Sequence, residues 1–435
     1  MFNELKKIIY SVVPSSILKA ILPIYHGSLS FLAGIFYGTP GSELTLIGVT
    51  GTAGKSTTVM MLAHILNNAN KKTGYITTVG SFDGNRDIIN THGMSMPGGP
   101  TIQKSLHNFV SNGCRYAIIE ATSEGLAQNR HEGLKFKAAL FTNLSPAHLD
   151  SHGSFDKYRS AKGKLFQSLD ADSIIGVNTD DPNYQYFLNF PSAKKFGITT
   201  RQDKLAQTSV PIIRAEHISI DEQLRFNIEQ TKFELNLKGS FNITNALLAI
   251  GLAQYLGVTL QQSADALKSF GTVPGRMETI PNNKGFTIIV DYAPEPGPFE
   301  QSLRTVSLLD HNKLICVFGS TGGHRDKSKR FEFGEIAAKL ADTIIITNDD
   351  VYESDPEEIA SHIQSGIQQV SAQEKKVSSV IVELDRFNAI KKALEIAGPN
   401  DVVLVTGKGS EQFLVLPGNK RIDWDDRKVI NDLLK

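Results

Sequence analysis

The chain of 435 residues is too long for one ordinary domain, since domains usually hold about 100–200 residues, and its length indicates two or three. Its 45 basic and 45 acidic side chains cancel, which argues against a general nucleic-acid binder, and its hydrophobic fraction of 40% is typical of a globular protein. The two cysteines, Cys114 and Cys316, are too few and too far apart for a disulfide framework or a zinc ribbon, and they indicate a reducing cytoplasm.

The first 43 residues form an apolar segment. Lys6 and Lys7 precede a cluster of aliphatic residues, and no charged residue occurs from Ala20 to Ser42. A bilayer span takes about 20 apolar residues, but proline, glycine, serine and histidine interrupt this stretch, and no A-x-A cleavage site indicates export. We expect one or two short helices packed on the next domain. Contact of residues 1–42 with the inner face of the membrane and a true span are the alternatives.

A phosphate loop is predicted at residues 50–58. The apolar run just before it has no helical period and indicates a buried parallel strand, and a helical pattern follows the sequence TGTAGKSTT. In that context backbone N–H groups and the helix N-terminus bind phosphate oxygens. Lys55 would bind the β- and γ-phosphates, and the Ser56 hydroxyl would bind Mg²⁺. Val49 stands where the strict motif has glycine. The loop alone does not distinguish ATP from GTP. The alternative interpretation is a glycine turn that binds no ligand.

Two further apolar runs end near candidate metal ligands. Residues 116–120 predict a buried strand that ends in Glu120, and residues 138–144 predict another, followed by His148. Because ligands of open parallel sheets gather at the carboxyl ends of strands, both side chains would face the phosphates. A carboxylate and an imidazole there suggest a divalent metal, with a solvated strand end and a helix cap as alternatives. Lys162 follows on an amphipathic helical pattern, which by itself predicts a solvated position.

A hinge is predicted where prolines and glycines cluster at residues 273–276 and 281–285. Beyond it, apolar strands alternate with helical patterns, which predicts a second doubly wound α/β domain. The predicted architecture is therefore α/β. It places the apolar segment at 1–43, a central ATP-binding domain with a parallel sheet of the P-loop type at 44–279, and a Rossmann-like domain at 280–435.

Eight motifs resemble those of the Mur ligase family, the ATP-dependent enzymes that add amino acids to the peptidoglycan precursor. They are GTAGKSTT, EATSEGLAQNR, FTNLSPAHLDSHGSFDKYRSAKGKLF, GSFNITNALLAI, VPGRME, DYAPEPG, GGHRDKSKR and TGKGSE. The resemblance extends from about residue 46 to residue 427 and is greatest to the tripeptide synthetase branch (MurE-type).

The resemblance implies a set of nucleotide and metal contacts. It assigns ATP binding to Gly51, Thr52, Gly54, Lys55, Ser56, Thr57, Asn245, Arg276, Asp291 and Tyr292. It assigns two Mg²⁺ ions to Ser56, Glu120, His148 and Lys162, the lysine as a carbamate, and catalysis to Lys55, Glu120, His148 and Lys162. A carbamate turns an ammonium into a carboxylate-like group, and its formation requires a neutral amine, which burial near cations favours.

The resemblance also implies substrate contacts and a reaction. It assigns the muramyl-peptide acceptor and the amino acid to Ser95, Thr122, Gln128, Arg130, Arg325, Asp349, Asp350, Gly407 and Glu411. The acceptor carboxylate would attack the γ-phosphate to give an acyl phosphate and ADP, and the amine of the amino acid would then displace phosphate. Because water hydrolyses acyl phosphates, we expect one domain to close over the other.

The sequence departs from the family at its beginning. Members normally carry a uridine-binding domain of about a hundred residues before the phosphate loop, whereas only about 43 residues precede it here. A lipid-linked or shortened acceptor is therefore an alternative to a UDP-linked one.

Other departures concern the substrates. Asp349-Asp350-Val351-Tyr352 stands where diaminopimelate-adding members have DNPR, and a tyrosine cannot make a bidentate contact with a carboxylate. Diaminopimelate is thus disfavoured. The carboxylates of Asp349, Asp350 and Glu411, which we call the acidic group, could attract the distal amine of lysine or ornithine. The alternative is that they form an exposed acidic turn. Arg325 would hold the α-carboxylate of the amino acid. Histidines of the family are replaced by Pro294, Glu124 and Ser410.

The leading hypothesis is an ATP-dependent ligase that adds an amino acid, such as lysine, as the third residue of a UDP-N-acetylmuramoyl peptide. We expect a cytoplasmic monomer without nucleic-acid partners. A related ligase with a lipid-linked, non-murein or folate acceptor is one alternative, and a non-catalytic nucleotide-binding membrane scaffold is another. A MurT-type amidating subunit is disfavoured, because it would bring a four-cysteine zinc insertion and this chain has two distant cysteines.

Overall fold

The computed structural model of the protein describes residues 15–91, 93–147, 149–204, 210–221, 223–323 and 325–435. Within these ranges the strands form a nine-stranded sheet, a six-stranded sheet and two small antiparallel sheets. Both large sheets consist mainly of parallel strands with helices on their faces. The α/β architecture is therefore confirmed, and the division at residues 43 and 279 stays a prediction.

The nine-stranded sheet positions the phosphate loop. Its strands are β1 (Thr45–Thr50), β2 (Thr73–Ile76), β3 (Gly80–Phe82), β4 (Asp87–Ile89), β5 (Tyr116–Glu120), β6 (Phe136–Phe141), β7 (Ile174–Asn178), β8 (Lys194–Thr199) and β9 (Ile212–Arg214). They lie in the order β4-β3-β2-β5-β1-β6-β7-β8-β9, and all pairs except those of β3 are parallel. Because β1 lies between β5 and β6, the ends of these three strands converge on one point of the sheet edge.

Helices cover both faces of this sheet. They are α1 (Ser15–Phe36), α2 (Lys55–Asn68), α3 (Gly99–Ser111), α4 (Ser123–Ala127), α5 (Leu149–His152), α6 (Phe155–Gln167), α7 (Tyr184–Leu188), α8 (Phe241–Tyr255) and α9 (Leu260–Lys268). A small antiparallel sheet of β10 (Glu216–Ile220), β11 (Leu224–Ile228) and β12 (Thr231–Leu235) packs beside α9. The central β1 is buried along almost its whole length, as expected for a strand covered on both faces.

The N-terminal helix differs from the predicted short helices. α1 is one helix of 22 residues with Pro23 inside it, and it packs on α3. Among the residues that the structure describes, no helix is both long enough and apolar enough to cross a membrane. The predicted part before Ser15, with Lys6 and Lys7, lies outside the described residues.

The six-stranded sheet forms the second α/β unit. Its strands are β13 (Glu278–Ile280), β14 (Thr287–Asp291), β15 (Leu314–Phe318), β16 (Thr343–Ile346), β17 (Ser379–Val382) and β18 (Val402–Thr406), in the order β13-β14-β18-β15-β16-β17. Its helices are α10 (Pro296–Ser307), α11 (Ser328–Leu340), α12 (Pro356–Gln369), α13 (Arg386–Ile396) and α14 (Asp426–Leu434). A hairpin of β19 (Phe413–Leu416) and β20 (Lys420–Asp423) follows β18.

The hairpin contacts the first α/β unit, which consists of the nine-stranded sheet and its helices. The Arg421 guanidinium donates a hydrogen bond to the carbonyl oxygen of Thr91, and a β-carbon at Gly93 would lie 2.3 Å from the Phe413 ring. Gly93 has a φ of 67°. A side chain at this position would therefore push the hairpin away, so the glycine allows the two units to touch beside the cleft.

Candidate active site

The phosphate loop connects β1 to α2. Gly54 has a φ of 81°, and a β-carbon there would lie 2.2 Å from the amide oxygen of Asn245, so the position requires glycine. The Lys55 ammonium donates to the carbonyl oxygen of Thr52 at 2.9 Å. Burial lowers the pKa of Lys55, and the charge of Glu120 opposes that shift. The loop thus has the close backbone approach and the cation that a triphosphate requires.

Glu120, at the end of β5, is held beside the loop by three hydrogen bonds. It accepts from the Ser56 hydroxyl at 2.7 Å, from the Thr78 N–H at 2.9 Å and from the Thr78 hydroxyl at 3.0 Å. Its carboxylate lies 3.9 Å from the Lys55 ammonium and its side chain is 2% exposed. Glu120 and Ser56 therefore place two oxygen atoms together at the phosphate loop, which is the chemistry that Mg²⁺ prefers.

Glu120→Gln is expected to raise the Mg²⁺ concentration needed for half-maximal activity by about 10–100-fold, because the amide keeps the shape but loses the charge. A Mg²⁺ titration of ATP-dependent turnover measures this shift. Glu300→Gln, at an exposed ion pair with Arg304, is the matched control and should leave the titration unchanged. A titration of Glu120→Gln that coincides with the wild-type curve would exclude Glu120 as a metal ligand.

Lys162 lies under the phosphate loop. Its ammonium donates to the carbonyl oxygen of Gly51 at 2.7 Å and lies 4.5 Å from the ring centre of Tyr158. The side chain is 2% exposed, so the solvated position predicted from the helical pattern is wrong: α6 turns this residue toward the loop. Burial, and next the charge of Lys55, lower the pKa of Lys162 well below its usual value. The site thus favours the neutral amine.

Arg276, in the predicted hinge, connects the phosphate loop to the second unit. Its guanidinium donates to the carbonyl oxygen of Tyr292 at 3.1 Å, lies 4.2 Å from the ring centre of that tyrosine, and reaches the Ser56 hydroxyl at 3.5 Å. Asp291, at the end of β14, accepts from the Met277 N–H at 2.9 Å, and burial raises the pKa of Asp291. Side chains from both units therefore meet at the nucleotide end of the cleft.

The predicted acceptor contacts are connected to Glu120 through Thr78, which lies next to Ser95. The hydroxyl of Ser95 lies 2.6 Å from that of Thr78 and can donate to it, and Thr122 caps α4 by accepting from the Gly125 N–H. The Arg130 guanidinium donates to the side-chain oxygen of Gln128 at 2.8 Å and to a main-chain carbonyl oxygen at 2.6 Å. Gln128 thus positions Arg130.

The predicted acidic group surrounds a lysine of the chain itself. The Lys408 ammonium lies 2.6 Å from Glu411, 2.9 Å from Asp350 and 3.9 Å from Asp349. All four side chains are buried or nearly so, so the alternative of an exposed acidic turn is wrong. Burial raises the pKa of Glu411 to about 7, with Lys408 opposing the shift. Three carboxylates around one ammonium leave this end of the cleft acidic.

Arg325 faces the first unit across the cleft. Its guanidinium lies 3.9 Å from the carboxylate of Glu124, and Ser151 donates to the same carboxylate at 3.2 Å. Nearby, the Lys329 ammonium lies 2.6 Å from Glu295. Carboxylates and cations alternate at this mouth of the cleft, a pattern that suits a zwitterionic amino acid.

One cavity of about 780 Å³ joins these groups. Every predicted site residue that the structure describes lines it except Gln128, which lies behind Arg130. These residues are Gly51, Thr52, Gly54, Lys55, Ser56, Thr57, Ser95, Glu120, Thr122, Arg130, Lys162, Asn245, Arg276, Asp291, Tyr292, Arg325, Asp349, Asp350, Gly407 and Glu411. The predicted metal ligand His148 lies outside the described residues.

Sequence reasoning missed several residues that line the cavity or lie directly behind its wall. Tyr158 precedes Lys162 by four positions on the same helix, and this spacing could have predicted that the two side chains lie together. The hydroxyl of Tyr158 shares a hydrogen bond of 3.0 Å with the hydroxyl of Thr52. Lys408 lies between two predicted residues of one motif. Thr78 belongs to no recognisable motif, and only the pairing of β2 with β5 brings it to Glu120.

The fold and the cavity together define a nucleotide-dependent enzyme whose phosphate loop faces a second α/β unit. Residues 49–253 match the Mur ligase middle domain, and residues 275–409 match the Mur ligase glutamate ligase domain. A UDP-N-acetylmuramyl-tripeptide synthetase of Roseiflexus sp. (strain RS-1) is 37% identical over 417 residues, which cover 92% of this chain and 80% of that relative. A UDP-N-acetylmuramoyl-L-alanyl-D-glutamate–2,6-diaminopimelate ligase of Clostridioides difficile (strain 630) is 34% identical over 93% of this chain and 81% of its own length.

The chain belongs to the Mur ligase family, whose members are ATP-dependent amide-bond ligases that use Mg²⁺. A solved structure of a UDP-N-acetylmuramoyl-L-alanyl-D-glutamate–2,6-diaminopimelate ligase superimposes with a TM-score of 0.58 and 27% identity over 90% of this chain and 78% of that one. The family and the ligase class predicted from the motifs are thereby confirmed.

Proposed function

We propose that this ligase adds an amino acid to the free carboxylate of a UDP-N-acetylmuramoyl dipeptide, as its third residue. The observation that carries the proposal is the single cavity. It joins the phosphate loop and Glu120 to the predicted acceptor residue Arg130 on one side and to Arg325 of the second unit on the other. The named relatives that add a third residue to such peptides support the same substrate class.

In the proposed reaction an oxygen of the acceptor carboxylate attacks the γ-phosphorus, the bond to the bridging oxygen breaks, and ADP leaves. The amine nitrogen of the amino acid then attacks the acyl carbon, inorganic phosphate leaves and the amine loses a proton. Lys55 and Arg276 line the cavity and offset repulsion between the carboxylate and the triphosphate. Bound Mg²⁺, which Ser56 and Glu120 would hold together with His148 if the family pattern applies, would neutralise further phosphate charge.

We also propose that Lys162 acts as a carbamate. Its neutral nitrogen would bond to the carbon of CO₂ with loss of one proton, which gives an anionic group beside the phosphate loop. Among the described residues no cluster of three or more histidine, cysteine or acidic side chains could hold a metal ion. A carbamate at this position would add the second anionic oxygen ligand that Glu120 alone does not supply.

Release of ADP with candidate acceptors and a panel of amino acids tests the proposed function. We expect turnover with a UDP-N-acetylmuramoyl dipeptide and a diamino acid, and a product heavier by one amino acid residue. Absence of stimulation by any muramyl dipeptide, in a protein that still hydrolyses ATP slowly, would refute the proposed acceptor. Turnover only with a lipid-linked muramyl peptide would support the alternative acceptor.

The amino acid is proposed to be a diamino acid such as lysine. The acidic group of Asp349, Asp350 and Glu411 exceeds the charge of Lys408, which favours a side-chain ammonium. Tyr352, which also lines the cavity, offers no cation for a second carboxylate.

Tyr352→Arg is expected to raise kcat/KM for diaminopimelate relative to lysine by about tenfold or more, because the guanidinium supplies a bidentate partner for the distal carboxylate. The native residue already has a φ of 53°, so arginine meets the same backbone strain as tyrosine. Tyr352→Phe is the control for loss of the ring hydroxyl. An unchanged ratio of the two kcat/KM values in Tyr352→Arg would show that this position does not select the amino acid.

For partners and location we propose a cytoplasmic monomer that contacts the inner face of the membrane through residues 1–42. The support is compositional in the first 14 residues and structural from Ser15 onward, where α1 exposes large apolar side chains.

A further inference from the structure

From residue 21 onward, helix α1 exposes most of its large apolar side chains. They recur at intervals of three, four and seven residues, so they form one stripe along the helix, and Phe36 is 81% exposed. Of the seventeen large hydrophobic side chains exposed in the described part of the chain, seven belong to this helix. We call them the apolar stripe: Ile21, Ile24, Tyr25, Phe31, Leu32, Ile35 and Phe36.

The inner face of α1 is made of small residues. Gly27, Ser30 and Gly34 are buried against the first unit. A β-carbon at Gly99, where α3 begins, would lie only 1.7 Å from the Ser30 hydroxyl, so the two helices are in close contact. An ordinary surface helix buries its large side chains and exposes polar ones. In α1 this order is reversed, which indicates that the stripe is covered by something else.

The charge pattern indicates what covers it. From residue 5 to residue 42 the sequence contains Lys6, Lys7 and Lys19 but no aspartate or glutamate. One acidic residue, Glu132, lies with its Cβ and Cγ beside Gly27 where the helix contacts the first unit. An apolar face within a stretch of sequence that has basic but no acidic residues is complementary to the surface of a bilayer with anionic headgroups.

The stripe is linked to the acceptor side of the cavity. The hydroxyl of Ser30, on the inner face of α1, donates to the carbonyl oxygen of Arg130 at 3.0 Å, and Arg130 lines the cavity. We propose that α1 lies in the interface of an anionic membrane with the apolar stripe toward the lipid, and so holds the acceptor side of the cavity at the membrane surface. The statement that this side of the cavity binds the acceptor rests on the proposed function.

Cosedimentation of the full chain with vesicles tests the proposal. We expect binding to vesicles that contain phosphatidylglycerol, weaker binding to pure phosphatidylcholine, and loss of the difference at high salt. The triple variant Ile24→Ser, Phe31→Ser, Leu32→Ser should lower partitioning by about tenfold or more, since it removes buried apolar area. The matched control Leu308→Ser, Val380→Ser, Val382→Ser changes three apolar residues that are exposed elsewhere and should bind as the wild type does.

Several outcomes would overturn the proposal. One is absence of binding to any vesicle, and another is equal binding of the triple variant and the wild type. A wild-type dimer that the triple variant converts to a monomer would assign the stripe to a second copy of this chain. ADP release with a UDP-linked acceptor, measured without vesicles, tests the proposed function separately, and the triple variant should retain it because the substituted side chains point away from the cavity.

Discussion

Lys162→Ala is expected to lower kcat by about 1,000-fold or more, since catalytic groups that act on developing charge in a buried site contribute at least that much. The side chain is nearly inaccessible, its amine contacts the phosphate loop, and burial together with Lys55 lowers its pKa. Steady-state release of ADP at saturating substrates measures the effect. Lys157→Ala, on the exposed side of the same helix, should keep wild-type turnover.

Further variants separate a carbamate from an ammonium. If the carbamate is the active form, Lys162→Glu should retain more activity than Lys162→Ala, and short carboxylates should partly restore Lys162→Ala. Enzyme equilibrated with ¹³C-bicarbonate should show a carbamate carbon resonance that Lys162→Ala lacks. Wild-type turnover of Lys162→Ala would remove this residue from catalysis, whereas an inactive Lys162→Glu without a carbamate signal would assign the role to the ammonium.

Asp426→Asn is expected to lower the free energy of unfolding of the second unit by about 3–5 kcal/mol, because it leaves a buried guanidinium without its counter-charge. Arg386 donates to the two carboxylate oxygens of Asp426 at 2.8 and 2.7 Å, and neither side chain is exposed. Arg386 also donates to the carbonyl oxygens of Asn348 and Thr406. The pair therefore ties α13 and α14 to the ends of two strands.

Trp424 is a local probe for the expected decrease in the free energy of unfolding of the second unit. It is the single tryptophan of the chain, and its indole N–H donates to Asp426 at 2.8 Å, so its fluorescence follows unfolding of the second unit. Guanidinium unfolding curves of Asp426→Asn and of Asp432→Asn, an exposed ion-pair residue near the C-terminus, form the comparison. A difference below about 1 kcal/mol between the two would mean that the buried pair contributes no more than a surface pair.

The phosphate loop, the strand before it and the helix after it were predictable because local patterns determine them. The apolar run before the glycines, the following helix and the motif spacing each describe neighbouring residues, and the nine-stranded sheet places β1 where that pattern requires. The strand predicted at residues 138–144 ends at Phe141 instead. Beyond it, Thr142 and Asn143 turn to bind the Ala53 backbone, which a pattern of apolar residues does not reveal.

Properties that depend on distant parts of the chain were not predictable from local patterns. The helical pattern around Lys162 does not show that the loop after β1 covers this side chain. The acidic motif suggested a site for an amine, but it did not show that Lys408 lies among the three carboxylates. In α1 the apolar composition predicted a helix, whereas the close approach of Ser30 to Gly99 determines which face is outward.

Arg276 has a thermodynamic consequence for the whole enzyme. The same guanidinium contacts Ser56 in the phosphate loop and Tyr292 in the second unit, so nucleotide binding and the approach of the two units share one side chain. Coupling between two equilibria is reciprocal. If nucleotide and a second ligand both favour the approach of the units, each therefore tightens the binding of the other by the same factor, whatever the order in which they bind.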